Sequence, residues 1–155
     1  MTNTPTTLAD WLDYIERQHP ASIDMGLERV RAAAAAMGLG APAKRTIVVG
    51  GTNGKGSTVA FIEAIARAAG WKVGAYTSPH LLRYNERVRI DGQDVDDAAL
   101  VAAFNAIEAV RGEITLTYFE YGTLAALQLF ADAGLALAVL EVGLGGRLDA
   151  VNIVD

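Results

Sequence analysis

One stretch, residues 45–58 with the sequence RTIVVGGTNGKGST, constrains the fold more than any other part of the chain. It starts with an apolar run (Ile47–Val49), continues as a glycine-rich loop containing Lys55, and ends in the hydroxyls of Ser57 and Thr58. Glycine lets the backbone turn with positive φ and approach an anion closely, and the first N–H groups of a helix lack intrahelical partners. The order of strand, loop and helix therefore predicts a phosphate-binding loop.

This loop departs from the strict nucleotide-binding pattern GxxxxGK[ST] at two positions. Val49 occupies the place of the first glycine, and Gly56 separates Lys55 from the hydroxyls. A glycine-rich turn with a solvated lysine is the alternative interpretation. Because the required elements occur in the required order, the pattern favours phosphate binding; it indicates a nucleotide and does not identify a reaction.

Composition narrows the class of protein. With 155 residues, 52% of them hydrophobic and 20% charged, the chain is predicted to fold as one globular domain. We expect no membrane span, no secretory signal and, with no cysteine, a cytoplasmic protein. The net charge of −5 argues against nucleic acid as the main partner.

Hydrophobic periodicity predicts an α/β fold. Two helices precede the phosphate loop, and a helix and a second strand follow it, so a parallel βαβ pair is expected. Residues 86–90 alternate in the way of a half-buried strand, and a turn is predicted at Asp91-Gly92. Two more helices lead to the apolar run 135–140, which is typical of a strand buried on both faces. The predicted architecture is a three-layer, P-loop-type parallel sheet flanked by helices, with a helical segment at 1–42 and the phosphate-loop unit at 43–155.

Polar residues follow two of the predicted strands. Ser78 comes after the second strand and Glu141 after the buried run. Ligands of open α/β sheets bind at the carboxyl ends of the strands, and a carboxylate there is costly to bury unless it is paired or metal-bound. Glu141 thus lies where a metal ligand is expected. The simpler interpretation of Ser78 is a plain turn, and that of His80 is a loop histidine whose hydrogen bonds are satisfied within the protein.

Simple structural interpretations also exist for other polar positions. Thr117 and Glu120 have the spacing of a helix capping box. Asp24, Glu28 and Arg29 lie on or near a helix start, where charged residues are ordinary. Local spacing alone gives these residues no role in binding.

Five separated motifs resemble one family, the bacterial dihydrofolate synthase/folylpolyglutamate synthases, which belong with the Mur ligases. The motifs are GTNGKGST, TSPHL (77–81), ERVRI, LTYFEYGT (116–123) and LEVGLGGRLDAVNIVD (140–155), and SIDMGLERV (22–30) extends the match. They occur in the family's order and span nearly the whole chain. The departure of the phosphate loop from the strict pattern is itself shared with this family.

The resemblance implies an ATP- and Mg²⁺-dependent ligase that adds L-glutamate to dihydropteroate, to tetrahydrofolate polyglutamates, or to both. In this family a substrate carboxylate takes the γ-phosphate to give an acyl phosphate, which the amine of glutamate then attacks. Phosphorylation supplies the leaving group that a carboxylate lacks. The protein contributes positioning and charge neutralisation.

The resemblance also assigns roles to individual residues. The ATP phosphates are held by Gly54, Lys55, Gly56 and Ser57, with Lys55 as the catalytic residue. The implied Mg²⁺ ligands are Thr58, Ser78 and Glu141. The implied pterin contacts are Asp24, Met25, Gly26, Thr117, Tyr118, Phe119, Glu120, Leu148, Asp149 and Ala150. These assignments replace the simple interpretations of Asp24, Ser78 and Glu120, while Thr117 can cap its helix as well.

Family members continue beyond the last motif with the rest of the ATP-binding domain and a C-terminal domain that helps to bind glutamate. The resemblance therefore implies that this chain is the N-terminal part of an incomplete ATP-binding domain, inactive by itself. The complete enzyme is expected to be a monomer, and an exposed sheet edge in the shorter chain favours self-association. A Mur-type peptidoglycan ligase and a non-catalytic nucleotide-binding module are the alternatives.

Overall fold

The computed structural model describes residues 4–19 and 26–154. Asp24 and Met25, two of the predicted pterin contacts, lie outside the described residues. The helices are α1 (Leu8–Glu16), α2 (Glu28–Met37), α3 (Lys55–Ala68), α4 (Asp97–Arg111) and α5 (Tyr118–Ala133). The strands are β1 (Thr46–Val49), β2 (Val73–Tyr76), β3 (Val88–Ile90), β4 (Gln93–Asp94) and β5 (Leu137–Glu141). Short 3₁₀ helices cover Tyr84–Arg87 and Ala150–Val154.

The strands form one mixed sheet in the order β1-β5-β2-β3-β4. The first three strands in this order are parallel, which confirms the predicted α/β class and its parallel core. The expected pairing of β1 with β2 is wrong, because β5 lies between them: Ala138 is the partner of both Thr46 and Gly74. All five residues of β5 are buried, so this strand gains most from a central place with neighbours on both sides.

An antiparallel hairpin extends the sheet on the β2 side. β3 pairs with β2 on one side and with β4 on the other. The predicted turn at Asp91-Gly92 is confirmed, and both residues have positive φ (53° and 81°), as a tight two-residue hairpin turn requires. The predicted strand over residues 86–90 is wrong in its start, because the chain forms a 3₁₀ turn up to Arg87 and becomes extended only from Val88.

Helices cover both faces of the parallel strands, which gives the predicted three layers. α3 packs on one face, where Val59 and Ala66 meet Val139 and Leu137 of β5. The other four helices pack on the opposite face, which receives Ala138 and Leu140. Successive residues of a strand point to opposite faces, so β5 contributes to both cores. In the part of the chain that the structure describes, no helix has the length and apolar character needed to cross a bilayer.

Candidate functional site

The phosphate loop joins β1 to α3 at the carboxyl end of the parallel strands. Gly51 and Gly54 have φ of 145° and 78°, values that side chains other than hydrogen rarely allow, and Gly54 is the N-cap of α3. No heavy atom lies within 4 Å of a Cβ built on Gly54 or Gly56. Among the described residues, none accepts a hydrogen bond from the backbone N–H groups of residues 52–56. The loop therefore presents open space and available donors to an anion, which fits the phosphates of a nucleotide.

Lys55 is the first residue of α3 and lies back across the loop. Its Nζ donates a hydrogen bond to the carbonyl oxygen of Gly51 at 2.7 Å. An ammonium group has three donors, so this bond fixes the positive charge above the loop while leaving donors for a phosphate oxygen. The position fits the predicted role of Lys55.

Thr58 lies in the first turn of α3, with its hydroxyl donating to the carbonyl oxygen of Gly54 at 3.0 Å. Because the proton is used in this bond, the lone pairs of the oxygen remain for a metal ion. Ser57 and Thr58 are both exposed at the surface. The first turn of α3 thus supplies a hydroxyl oxygen of the kind that Mg²⁺ prefers.

Glu141 and Ser78 meet at the carboxyl ends of β5 and β2. The backbone N–H of Ser78 donates to Glu141 Oε2 at 3.1 Å, and the Ser78-Pro79 peptide bond is cis. Glu141 is only 6% exposed, and it is the register partner of Val49, the last residue before the phosphate loop. The structure therefore brings the predicted metal ligands Ser78 and Glu141 into contact beside the loop that carries Thr58.

These oxygens fit a Mg²⁺ site that is completed by the nucleotide. Among the described residues, no group of three or more His, Cys, Asp or Glu is arranged to hold a metal. Mg²⁺ commonly binds one or two carboxylates together with substrate phosphates and water, so a single carboxylate with hydroxyl groups suits it. The geometry agrees with the predicted ligand set, and the role of each ligand stays a prediction.

A second glycine-rich loop, residues 143–149, follows β5 and is closed by Asp149. The carboxylate accepts hydrogen bonds from the backbone N–H groups of Gly143 (3.0 Å), Leu144 (2.8 Å) and Val151 (3.0 Å). Burial raises the pKa of Asp149, and the three N–H groups oppose that shift only in part. Asp149 therefore holds the backbone of this loop, while Leu148 is half exposed and Ala150 is buried.

The start of α5 carries the predicted capping box. Thr117 Oγ1 accepts from the N–H of Glu120 at 3.2 Å, and the N–H of Thr117 donates to Glu120 Oε1 at 2.9 Å. The structural interpretation of this pair is thus confirmed. Whether Thr117 and Glu120 also contact a pterin stays a prediction.

Aromatic rings join the predicted pterin segments to one another. Phe119 stacks on Tyr76 with ring centroids 5.9 Å apart, and its ring edge lies so close to Gly143 that a Cβ there would come within 2.6 Å. Tyr118 packs edge-on against Tyr84 at 5.9 Å. The start of α5 and the second glycine-rich loop are therefore neighbours, as a shared binding site requires.

His80 is held by an arginine. Arg87 Nε donates to His80 Nδ1 at 2.8 Å, and the Arg87 guanidinium lies over the rings of Tyr84 (5.2 Å) and Tyr118 (5.7 Å). Burial and the charge of Arg87 lower the pKa of His80. His80 is thus a satisfied loop residue, as the simple interpretation of the sequence expected.

The structure gives Arg29 a contact that the sequence does not predict. This residue was counted as an ordinary charge near a helix start, but its guanidinium binds Glu120 in the first turn of α5. The partners stand 91 positions apart, and no local spacing rule connects them. The sequence signal available was indirect: Arg29 lies within SIDMGLERV, the motif that also contains Gly26.

Comparisons with known proteins agree with this geometry. No protein-family model matches the chain. It is 58% identical over 148 residues to the dihydrofolate synthase/folylpolyglutamate synthase of Escherichia coli, covering 96% of this chain and 35% of that protein. It is 54% identical to the protein of the same name from Haemophilus influenzae, covering 96% and 34%. The chain thus spans about a third of the length of these curated relatives.

Solved structures with the same fold carry nucleotides. E. coli FolC in complex with DHPP and ADP superposes with a TM-score of 0.94 at 55% identity, covering 100% of this chain and 37% of that one. The bifunctional folylpolyglutamate synthase/dihydrofolate synthase of Yersinia pestis, complexed with AMPPNP and Mn ion, gives a TM-score of 0.92 at 56% identity, covering 100% and 38%.

Proposed function

Because the chain belongs to the dihydrofolate synthase/folylpolyglutamate synthase family over the third of those enzymes that it spans, we propose that it provides the phosphate-binding part of an ATP-dependent ligase. The ligase joins L-glutamate to dihydropteroate or to tetrahydrofolate polyglutamates. The observation that carries the proposal is the meeting of the open phosphate loop, Ser78 and the buried Glu141 at one edge of the sheet.

The chain's own residues bind and neutralise the phosphates. Among the described residues none accepts from the N–H groups of residues 52–56, and the space beside Gly54 and Gly56 is open, so these donors and the ammonium of Lys55 are proposed to receive the phosphates. Charge that builds on the phosphate oxygens during transfer meets donors already in place, so little reorganisation is needed. ATP supplies the phosphoryl group that turns the pteroate or folate carboxylate into an acyl phosphate.

Thr58, Ser78 and Glu141 are proposed to hold the Mg²⁺ that accompanies ATP. The contact between the Ser78 N–H and Glu141 Oε2 keeps the carboxylate oriented at the end of β5. Thr58 presents its oxygen from the first turn of α3. The metal would neutralise phosphate charge and orient the phosphoryl group.

The pterin substrate is proposed to lie between three short segments. Gly26 precedes α2, residues 117–120 begin α5, and residues 148–150 close the second glycine-rich loop; Asp24 and Met25 belong to the same proposed set. The contact of Phe119 with Gly143 supports a common site for the last two segments. In this view residues 1–42 serve substrate binding and residues 43–155 serve the nucleotide.

We also propose a cytoplasmic location, a monomeric complete enzyme and small molecules as its partners. The chain itself exposes an apolar surface to which Ile47 (39%), Ile65 (69%) and Trp71 (39%) contribute. Ile47 belongs to β1, which is an edge strand among the described residues. Such a surface supports self-association of this chain when nothing covers it.

A substrate-dependence assay tests the function. The protein made from the complete reading frame that encodes this sequence is incubated with ATP, Mg²⁺, L-glutamate and dihydropteroate, and phosphate release and the glutamylated product are measured. We expect phosphate release only when both the pterin and glutamate are present. Product with tetrahydrofolate and none with dihydropteroate would remove the first of the two activities, and no product with either would refute the proposal.

A further inference from the structure

The two helices that adjoin the proposed pterin site are tied together by one arginine. Arg29, in the first turn of α2, donates from Nη2 to both carboxylate oxygens of Glu120, at 2.9 and 3.0 Å. Glu120 is in the first turn of α5. The bond therefore joins the two helix starts directly.

The Arg29–Glu120 ion pair lies next to two of the segments that are proposed to contact the pterin. Gly26 precedes α2, and residues 117–119 adjoin Glu120 at the start of α5. A ligand that touches both segments needs them at a fixed separation. The Arg29–Glu120 pair spans that separation at the N-terminal ends of the two helices.

The Glu120 end of this ion pair is buried. Its side chain is 4% exposed, whereas that of Arg29 is 25% exposed. Glu120 Oε1 also accepts the N–H of Thr117, so the carboxylate holds its own helix start as well as the partner helix. Removing the cation would leave a buried carboxylate without its charged partner, and a group in that state draws in water or moves.

We propose that Arg29 is a positioning residue of the pterin site. Through Glu120 it holds the backbone and rings of residues 117–119 in register with the segment that contains Gly26. The inference rests on the proposed function and adds to it a residue outside the predicted contact set. Arg29 acts on pterin binding and leaves the phosphate loop, which joins β1 to α3, unaffected.

Steady-state kinetics of the complete enzyme test this role. The variants are Arg29→Ala, Arg29→Lys and Glu120→Gln, with Arg31→Ala as the matched control, because Arg31 is an exposed arginine on the same helix. For Arg29→Ala we expect KM for dihydropteroate to rise on the order of tenfold or more, with KM for ATP and kcat within about twofold. Lysine keeps one charged contact, so Arg29→Lys should recover part of the loss. Glu120→Gln should resemble Arg29→Ala, and the combined variant should add little to either.

Thermal unfolding of each variant separates positioning from a loss of folding, and the kinetics are run well below every melting temperature. An unchanged KM for dihydropteroate in folded Arg29→Ala would overturn the inference while leaving the ligase function standing. A rise in KM for ATP as large as that for dihydropteroate, together with a fall in kcat, would also overturn it, because it would show a general structural role. If the unchanged enzyme makes no glutamylated pterin, the proposed function fails first and the inference with it.

Discussion

Two glycine-rich loops follow the carboxyl ends of the neighbouring strands β1 and β5. The backbone N–H groups of the first loop lack acceptors among the described residues, whereas those of the second are bound by a side chain. In residues 50–54 the donors and the space around Gly54 stay open, and a lysine lies across them. In residues 143–149 the donors of Gly143 and Leu144 are taken by the buried carboxylate of Asp149. The first loop is arranged for an external anion, and the second carries its anion within the chain.

The comparison shows that glycine content alone does not identify a phosphate site. Glycine gives both loops the freedom to turn and to expose N–H groups. What separates them is the charge of the nearby side chain: an ammonium at Lys55 attracts a phosphate, whereas a carboxylate at Asp149 occupies the donors and repels one. Four experiments test this difference.

Removal of the Lys55 ammonium should have the largest effect of the four experiments, and that effect should be a loss of catalytic activity. In the complete enzyme we expect Lys55→Ala to lower kcat by about 10²–10³-fold, because a cation fixed at the phosphates is lost. The free energy of unfolding should change by less than about 0.5 kcal/mol, since the side chain makes only a surface contact. Phosphate-release kinetics and urea denaturation measure the two effects. Lys44→Ala, at an exposed lysine ahead of β1, is the control, and equal activity of the two variants would show that the loop is misassigned.

Removing the carboxylate should act mainly on stability. Asp149→Ala leaves three backbone N–H groups without their acceptor, so we expect the free energy of unfolding to fall by about 2–4 kcal/mol. Urea denaturation of the chain measures it, with the exposed Asp132→Ala as the control. A loss no greater than that of Asp132→Ala would mean that Asp149 does not hold the second loop together.

The pH dependence of stability sharpens the comparison further, with Glu86 as the counterpart of Asp149. Glu86 also accepts three backbone N–H groups, from Leu81, Leu82 and Arg83, but it is solvated, and these bonds lower its pKa. Burial instead raises the pKa of Asp149. Each carboxylate accepts three backbone N–H groups, yet the two pKa values shift in opposite directions, because only Asp149 is desolvated.

The direction in which stability changes with pH follows from the difference between the folded and unfolded pKa of each carboxylate. The contribution of Asp149 is fully present below its ordinary pKa of 3.8 and is lost as the pH rises through its raised folded value. The contribution of Glu86 is present above its ordinary pKa of 4.5 and is lost as the pH falls through its lowered folded value. Urea denaturation between about pH 3 and 7 should show the stability difference between the unchanged chain and Asp149→Asn falling with pH, and that for Glu86→Gln rising. Parallel slopes would contradict the assignment of burial as the cause.

The smallest overall effect of the four experiments is expected for a substitution at Gly56. An added methyl group meets no atom within 4 Å and lies in the first turn of a helix, so Gly56→Ala should change the free energy of unfolding by about 0–1 kcal/mol, towards greater stability. The same methyl group occupies space that the phosphates need, so KM for ATP in the complete enzyme should rise. A stable variant with an unchanged KM for ATP would mean that the open space at Gly56 does not receive the nucleotide.

Features fixed by neighbouring residues could be predicted from the sequence. The order of strand, glycine-rich loop and helix and the capping box of Thr117 with Glu120 each depend on contacts within a few positions. The helix was expected to open at the hydroxyls of Ser57 and Thr58, and it begins two residues earlier, at Lys55. The contact of Ser78 with Glu141 agrees with the general rule that carboxyl ends of parallel strands share an edge. For these features, local chemistry and one fold-level rule were sufficient.

Features that join distant positions were missed or wrong. β1 and β2 were expected to pair, yet β5 separates them, because the choice of central strand depends on how apolar all three strands are. The link between Arg29 and Glu120 had no local signature, and the antiparallel hairpin was placed in no sheet. The family resemblance supplied the residue roles, and those at the nucleotide, metal and pterin sites all stay predictions.

The central place of β5 has a consequence for how the chain folds. Ala138 lies between Thr46 and Gly74, so the two early strands meet only through a strand made much later. The pairing of β1 and of β2 with β5 requires the closure of long loops before any hydrogen bond of the parallel core can form. Such topologies fold slowly. During synthesis on the ribosome the phosphate loop would leave the exit tunnel long before its strand has a neighbour. The edge at which Ser78 meets Glu141 is then among the last parts of the molecule to take shape.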